Sequence, residues 1–321
     1  MLSKFDDKFI ENLSIFLSKA SFEKGLMTKG EWIQLLLILS YSISFSLVGT
    51  FLFLKKKSMI ANAISHTVLF GIALLFIIMK VLSGKTHFTL LSLNIVIYIL
   101  VSIVTALITI FLIEALKKYI HLNNDASTAL VFSTLFSLGA ILITIFTKSS
   151  HVGVDIIMGN LDLIHIDDLL VGMGIFVVCS TFVYLFFKEL VVLSFDATIA
   201  HFSSKNSLLL QFGFLFLTSL SITCGFRYIG IAPVLGLIII PPVTASLYAR
   251  NVKDLIIYSV YSNIFVSIVS ILVTKILYEK FGLAMSTSGM LVTLHFVLLL
   301  IFLRKKRLAL NLEVKKMETK I

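Results

Sequence analysis

The sequence predicts an all-α polytopic membrane protein with about eight to nine transmembrane helices, two of them a proline-broken pair. Three observations predict it. Of 321 residues, 58% are hydrophobic and only 14% are charged, against about 25% charged in a typical soluble domain. Mean hydropathy is +1.05. The apolar residues fall into runs of about twenty, the length that spans a bilayer as a helix. A water-soluble fold of this size cannot hide so much apolar surface. A soluble enzyme, a DNA-binding protein and a disordered chain are therefore excluded. The net charge of +10 does not indicate nucleic acid, because most Lys and Arg sit in short clusters between apolar runs, facing lipid headgroups. Cys179 and Cys224 both lie in apolar runs and read as small buried hydrophobes rather than a disulfide or metal framework.

Residues 1–31 form an amphipathic N-terminal arm. Phe5, Phe9, Leu13, Phe16 and Leu17 recur at helical spacing between Asp6, Asp7, Lys8 and Glu11, the pattern of a helix lying on a membrane surface. The acids near its start and the lack of an unbroken apolar core do not fit a cleavable signal peptide. The transmembrane domain covers 32–303. Its candidate spans are 32–54, 59–79, 90–113, 127–147, 169–193, 208–229, 231–249, 255–277 and 286–303. Gly225, Arg227, Gly230 and Pro233 separate the sixth and seventh runs, and Pro241-Pro242 interrupts the seventh. Residues 304–321 are a basic cytoplasmic tail. With Lys55-Lys56-Lys57 inside, alternate loops also place Lys117, Lys118, Lys188, Lys205, Arg250 and Lys253 inside with the cluster Arg304-Lys305-Lys306-Arg307. The C-terminus is therefore expected in the cytoplasm.

Ionisable groups inside spans are costly and point to function. His66 is the foremost. Asn62 stands one helical turn before it on the same face, Ser65 is beside it, and Ala61, Ala63 and Gly71 permit close helix approach. An imidazole and an amide oxygen suit transient ligation of a divalent transition metal; a neutral histidine hydrogen-bonded between helices is the other reading. The outer loop 148–168 gathers His151, Asp155, Asp162, His165, Asp167 and Asp168, a cluster suited to cations or a docking partner, or simply a solvated loop. Gly153 and Gly159 around Ile156-Ile157-Met158 suggest a short re-entrant helix there. Pro241 and Pro242 free backbone carbonyls in mid-membrane, which lines a cavity or merely kinks the helix. On the inner side, Leu193 to Phe202 holds Asp196, which suits the cap of a short helix against a soluble partner. His295 is lone in the last run and expected to be satisfied by a neighbour. No phosphate-binding Gly-x-x-x-x-Gly-Lys-Ser/Thr loop, His-Glu-x-x-His or Gly-x-Ser-x-Gly occurs, so neither ATP binding by that loop nor hydrolase chemistry is indicated.

In order, these segments resemble the permease subunits of bacterial ABC importers for manganese, zinc or iron. The hallmark of that family, close to Gly-Asp-Ala-Leu-Ser-His-Ala-Val-Leu-Pro-Gly-Val-Ala, is similar to Ala61-Asn-Ala-Ile-Ser-His-Thr-Val-Leu-Phe-Gly-Ile-Ala73. The family's acid before the fourth span looks like Asp125. Its outer Leu-Phe-Gly-Asn looks like Ile157-Met-Gly-Asn160, and its inner Phe-Asp-x-x-x-Ala matches Phe195, Asp196 and Ala200. Its proline segment looks like Gly230 through Ala245. The resemblance covers about 32–303 and implies an ABC importer permease fold in the bacterial cytoplasmic membrane, with no tightly bound cofactor and no catalysis on this chain. A manganese, iron or zinc ion is the implied cargo. Implied partners are a cytoplasmic ATPase, a second permease as homo- or heterodimer, and an extracytoplasmic metal-binding protein. His66, Asn62 and Ser65 then line the metal path, Phe195, Asp196 and Ala200 couple to the ATPase, and Asp155, Asp162 and His165 receive the binding protein. Asn62 stands where the family has Asp, and Phe70 where it has Pro; a sister permease carrying the intact Asp and His accounts for this. The rival expectation is an ion-coupled secondary metal transporter, which needs acids deep in spans.

Overall fold

A computed structural model describes residues 28–56, 95–147, 166–195, 207–283 and 285–318, together with 161, 164 and the positions 59, 63, 64, 66, 67, 70, 71, 73–75, 77 and 78. The N-terminal arm up to residue 27 lies outside the described residues. The helices with defined bounds are α1 (Lys29–Leu54), α2 (Ile95–Ile120), α3 (Asn124–Thr147), α4 (Ile166–Leu185), α5 (Phe187–Phe195), α6 (Ser207–Ile229), α7 (Ile231–Ser246), α8 (Val252–Phe281) and α9 (Thr287–Glu318). The described positions from 59 to 78 are helical as well. Hydrocarbon offers the backbone no partner, so apolar runs of this length satisfy their own N–H and C=O groups as helices. Among the described residues, six helices are long and apolar enough to cross a bilayer, within Gly30–Leu54, Asn124–Leu142, Asp168–Leu185, Leu209–Phe226, Val252–Phe281 and Thr287–Leu308. The chain is a multi-pass membrane protein.

Two expectations need correcting in detail. The run 169–193 is two helices, α4 and α5, which meet at a turn on Phe186. The pair over 208–249 parts at Gly230, among the separators expected, but the prolines do not interrupt its second helix. Gly230 has φ 94°, a conformation that costs a side-chain-bearing residue dearly, and α7 then runs on through Pro241 and Pro242. In addition, α9 carries the basic cluster after 303 as helix, to Glu318.

α1 is the central post. Leu37, Ile38, Tyr41, Phe45, Val48 and Phe51 on it are fully buried, and α4, α7 and α8 pack around it. Its start is fixed by a capping box. The Thr28 hydroxyl accepts from the Glu31 N–H, and the Glu31 carboxylate accepts from the Thr28 N–H at 2.7 Å. The same carboxylate takes the Lys275 ammonium of α8 at 2.8 Å, so α1 and α8 run antiparallel. That pair lies at the end of α1 opposite Lys55.

The α1–α8 contact is polar. The Ser42 and Ser267 hydroxyls are 2.8 Å apart, and Ser46 Oγ donates to the Ser259 carbonyl. Asn263, fully buried, donates from Nδ2 to the Ser42 carbonyl at 2.9 Å and to Ser46 Oγ at 2.6 Å. Without a hydrophobic driving force between helices in lipid, such small polar contacts hold spans together.

This seam also explains how α7 tolerates two prolines. Pro241 and Pro242 lack the N–H groups that the Leu237 and Ile238 carbonyls require one turn earlier. Asn263 Nδ2 reaches the Leu237 oxygen at 3.3 Å. The Ile238 oxygen is pressed against Gly49 of α1, where a Cβ would collide with it. Both freed carbonyls are thus covered by neighbouring helices.

Candidate functional site

His66 stands on the helical positions between α1 and α2. The wall behind it is built from small and hydroxyl side chains. Thr109 of α2 donates to Thr67 Oγ1 at 2.8 Å. One turn on, Gly71 lies so close to Thr105 that a Cβ there has no room. Ala63 and Ile113, with Val131 and Leu135 of α3, form a buried apolar patch that Phe70 and Phe132 complete. This packing presents the His66 ring to α3, where it meets Phe132 at 5.0 Å and, edge-on, Phe136 at 5.3 Å between ring centres. The two phenylalanines lie one helical turn apart and grip the imidazole between them. Its Nδ1 is buried without a hydrogen-bond partner among the described residues. Such a nitrogen, held in a fixed ring orientation, is available to a polar partner. Thr109→Val removes the donor to Thr67, and a thermal midpoint about 2–3 °C lower is expected for the purified chain, from a loss of ~1 kcal/mol.

Asn62 and Ser65 lie outside the described residues. Among the described residues, no three His, Cys, Asp or Glu side chains gather as a metal site. Described acids sit near helix ends, as Glu31, Glu114, Asp125, Asp168, Asp254 and Glu279 show. Asp125 opens α3 and is exposed.

The Lys55 end of α1 holds a second feature. α5 buries Leu190 and Leu193 and leaves Phe195 69% exposed. A half-open cavity of about 230 Å³ adjoins it, lined by Leu52 and Lys55 of the α1 end, Leu193, Ser194 and Phe195 of α5, and Gln211 and Phe214 of α6. Lys55 Nζ lies 4.4 Å from the centre of the Phe214 ring, a cation–π contact. Phe51 joins this floor edge-on to Phe214 and Phe187. Asp196 and Ala200 fall outside the described residues.

On the outer side, Asp155, Asp162 and His165, with the expected re-entrant segment, also lie outside the described residues. Of that loop, Leu161 is buried and Ile164 packs beside it on the main core, so this part folds back onto the bundle. His295 is buried in α9, where Nδ1 donates to the Leu291 carbonyl at 2.8 Å and Nε2 has no partner among the described residues. Pro241 and Pro242 are not isolated. They are joined through Leu237 and Ile238 to Asn263 and Gly49, two residues that sequence reasoning passed over. An amide in the middle of the 255–277 run was the available signal.

Residues 31–306 match the model of the ABC 3 transport family. The chain is 31% identical over 278 residues to a probable metal transport system membrane protein of Chlamydia trachomatis, covering 86% of this chain and 85% of that one. It is 27% identical to the manganese import system permease protein ScaB of Streptococcus gordonii, over 84% and 89% of the two chains. Among solved structures, a chain of PsaBC from Streptococcus pneumoniae in complex with Fab shares the fold, with a TM-score of 0.70 and 24% identity over 94% of this chain and 95% of that one. The chain therefore belongs to the ABC 3 transport family, as a membrane-spanning transport subunit and not a catalytic one.

Proposed function

We propose that this chain forms one half of the path by which an ATP-driven importer carries a divalent transition metal ion into the cell. The observation that carries the reading is the family match over residues 31–306. The clamped imidazole of His66 supports it. Manganese and zinc are the favoured cargoes, since relatives are named as manganese and zinc transport proteins. Iron accepts the same nitrogen and oxygen ligands. The described acids at helix ends speak against an ion-coupled secondary transporter, which needs titratable groups deep in its spans.

ATP hydrolysis belongs to a separate cytoplasmic ATPase in this reading, a second permease completes the path, and an extracytoplasmic metal-binding protein delivers the ion. His66, Asn62 and Ser65 face the passing ion. Loop residues Asp155, Asp162 and His165 receive the delivering protein, and Phe195, Asp196 and Ala200 meet the ATPase. The exposed Phe195 beside an aromatic-floored cavity suits that last role. A large apolar side chain bared at the inner end gives a soluble partner an anchor. Asp196→Lys is expected to leave the chain in the membrane while cargo-stimulated ATP hydrolysis falls to its basal rate; stimulation at the wild-type level removes Asp196 from the coupling surface.

Cargo is tested by accumulation of radioactive manganese and zinc in cells lacking or carrying the chain, each ion competed by the other. Carrier-dependent accumulation of one of them at micromolar concentration is expected. Equal accumulation with and without the chain contradicts the proposal.

A further inference from the structure

The amide of Asn263 faces more acceptors than it has protons. Its Nδ2 carries two hydrogens, yet the Ser42 carbonyl, Ser46 Oγ and the Leu237 carbonyl all lie within 3.3 Å of it. Two of these are carbonyls, which only accept, so the NH2 face of the amide is fixed toward them. The contacts to α1 are short and that to α7 is the longest. On the other side, Asn263 Oδ1 and Ser259 Oγ are buried with no partner among the described residues. A buried polar group without a partner is costly, and each one calls for an explanation.

The helix touched by the long bond is built to shift. α7 has 16 residues and begins at the left-handed Gly230. At Leu237 and Ile238 it lacks the internal bonds that stiffen an ordinary helix, because of Pro241 and Pro242. The backbone oxygens freed there meet a shared proton from Asn263 and a backbone approach at Gly49, while the Leu237 and Ile238 side chains are buried in the core. Breaking the Leu237 bond lets Asn263 give both its protons to α1, so release costs α7 one bond and Asn263 nothing.

We propose that Asn263 is a positioning residue for transport: it clips the proline-freed Leu237 carbonyl of α7 to the α1–α8 seam in this conformation and releases it when α7 moves in the transport cycle. This rests on the permease reading above.

The test uses the full chain in its native membranes and then in mild detergent, with three variants: Asn263→Leu, Pro241→Ala and the double variant. Asn263→Leu removes the clip. Pro241→Ala gives Leu237 an intrahelical donor and makes the clip redundant. Amide hydrogen exchange over residues 231–246 is read against exchange over α1 and α8, alongside manganese and zinc uptake. With Asn263→Leu, exchange in α7 is expected to rise about fivefold more than in α1 or α8, the effect of one lost hydrogen bond. Maximal uptake is expected to fall with the half-saturating concentration unchanged. Pro241→Ala alone is expected to slow exchange in α7 and to slow uptake, and the double variant to return α7 exchange close to wild type. A merely structural role predicts a uniform rise over α1, α7 and α8 that Pro241→Ala does not reverse, and that result overturns the proposal. Should Asn263→Leu fail to accumulate, unchanged exchange and uptake in Pro241→Ala overturns it equally. The exchange measurement needs no transport, so absence of carrier-dependent uptake in the wild type counts against the permease reading and leaves the α7 result to be judged alone.

Discussion

Gly49→Val is expected to empty the membrane of folded chain. The side chain at 49 has to occupy the place of the Ile238 backbone oxygen, so α1 and α7 have to move apart to admit it. Gly49 sits about a turn and a half before the end of α1, the most buried of the six spans, and Ile238 belongs to the stretch where two prolines have already removed the helical donors. Overpacking of this kind costs about 3 kcal/mol or more where backbone is the obstacle. Separating α1 from α7 also weakens the Asn263 bonds that span them. The check is the yield and thermal midpoint of the variant in detergent beside the wild type. A midpoint within about 2 °C of wild type would mean that α1 and α7 do not meet as closely as described.

His66→Ala is the substitution with the largest expected effect on transport alone. The ring is half-buried between Phe132 and Phe136, so truncation leaves a gap the size of an imidazole, but the Thr67–Thr109 bond and the Gly71–Thr105 contact that hold the segment stay in place. Folding is therefore expected to survive, while uptake of the metal falls about tenfold or more, as when other groups that hold a metal are lost. His66→Phe separates packing from ligation: it refills the aromatic slot and is expected to transport no better than alanine. Uptake restored by phenylalanine assigns His66 to packing and removes it from the path.

Much of the fold was legible because lipid makes the code simple. A run of twenty apolar residues has one structure available to it, and all nine expected runs contain described helix in the expected order. What remained hidden is local. In 169–193 the turn at Phe186 falls just before the charged pair Lys188-Glu189, a signal that was read for orientation and not as a boundary between α4 and α5. The prolines were visible, but their consequence was misplaced. In water-free surroundings a freed carbonyl does not force a break if a neighbour covers it, and the neighbours Asn263 and Gly49 are 26 and about 190 residues away in the chain from the carbonyls they cover. Pairings of that separation are set by packing, which a single sequence does not display. His66 was legible because an ionisable group in a span is conspicuous, whereas its aromatic clamp was not: Phe132 and Phe136 are two among 28 phenylalanines.

The central claim is that this chain transports metal only as part of an ATP-driven assembly. It is tested most directly by mass spectrometry of the proteins that co-purify with the tagged chain from native membranes in mild detergent. The account predicts an ATPase bearing a phosphate-binding Gly-x-x-x-x-Gly-Lys-Ser/Thr loop, together with a second permease that is either another copy or a sister chain. Recovery of the chain alone, from cells in which it still supports metal uptake after ATP is depleted, would contradict it.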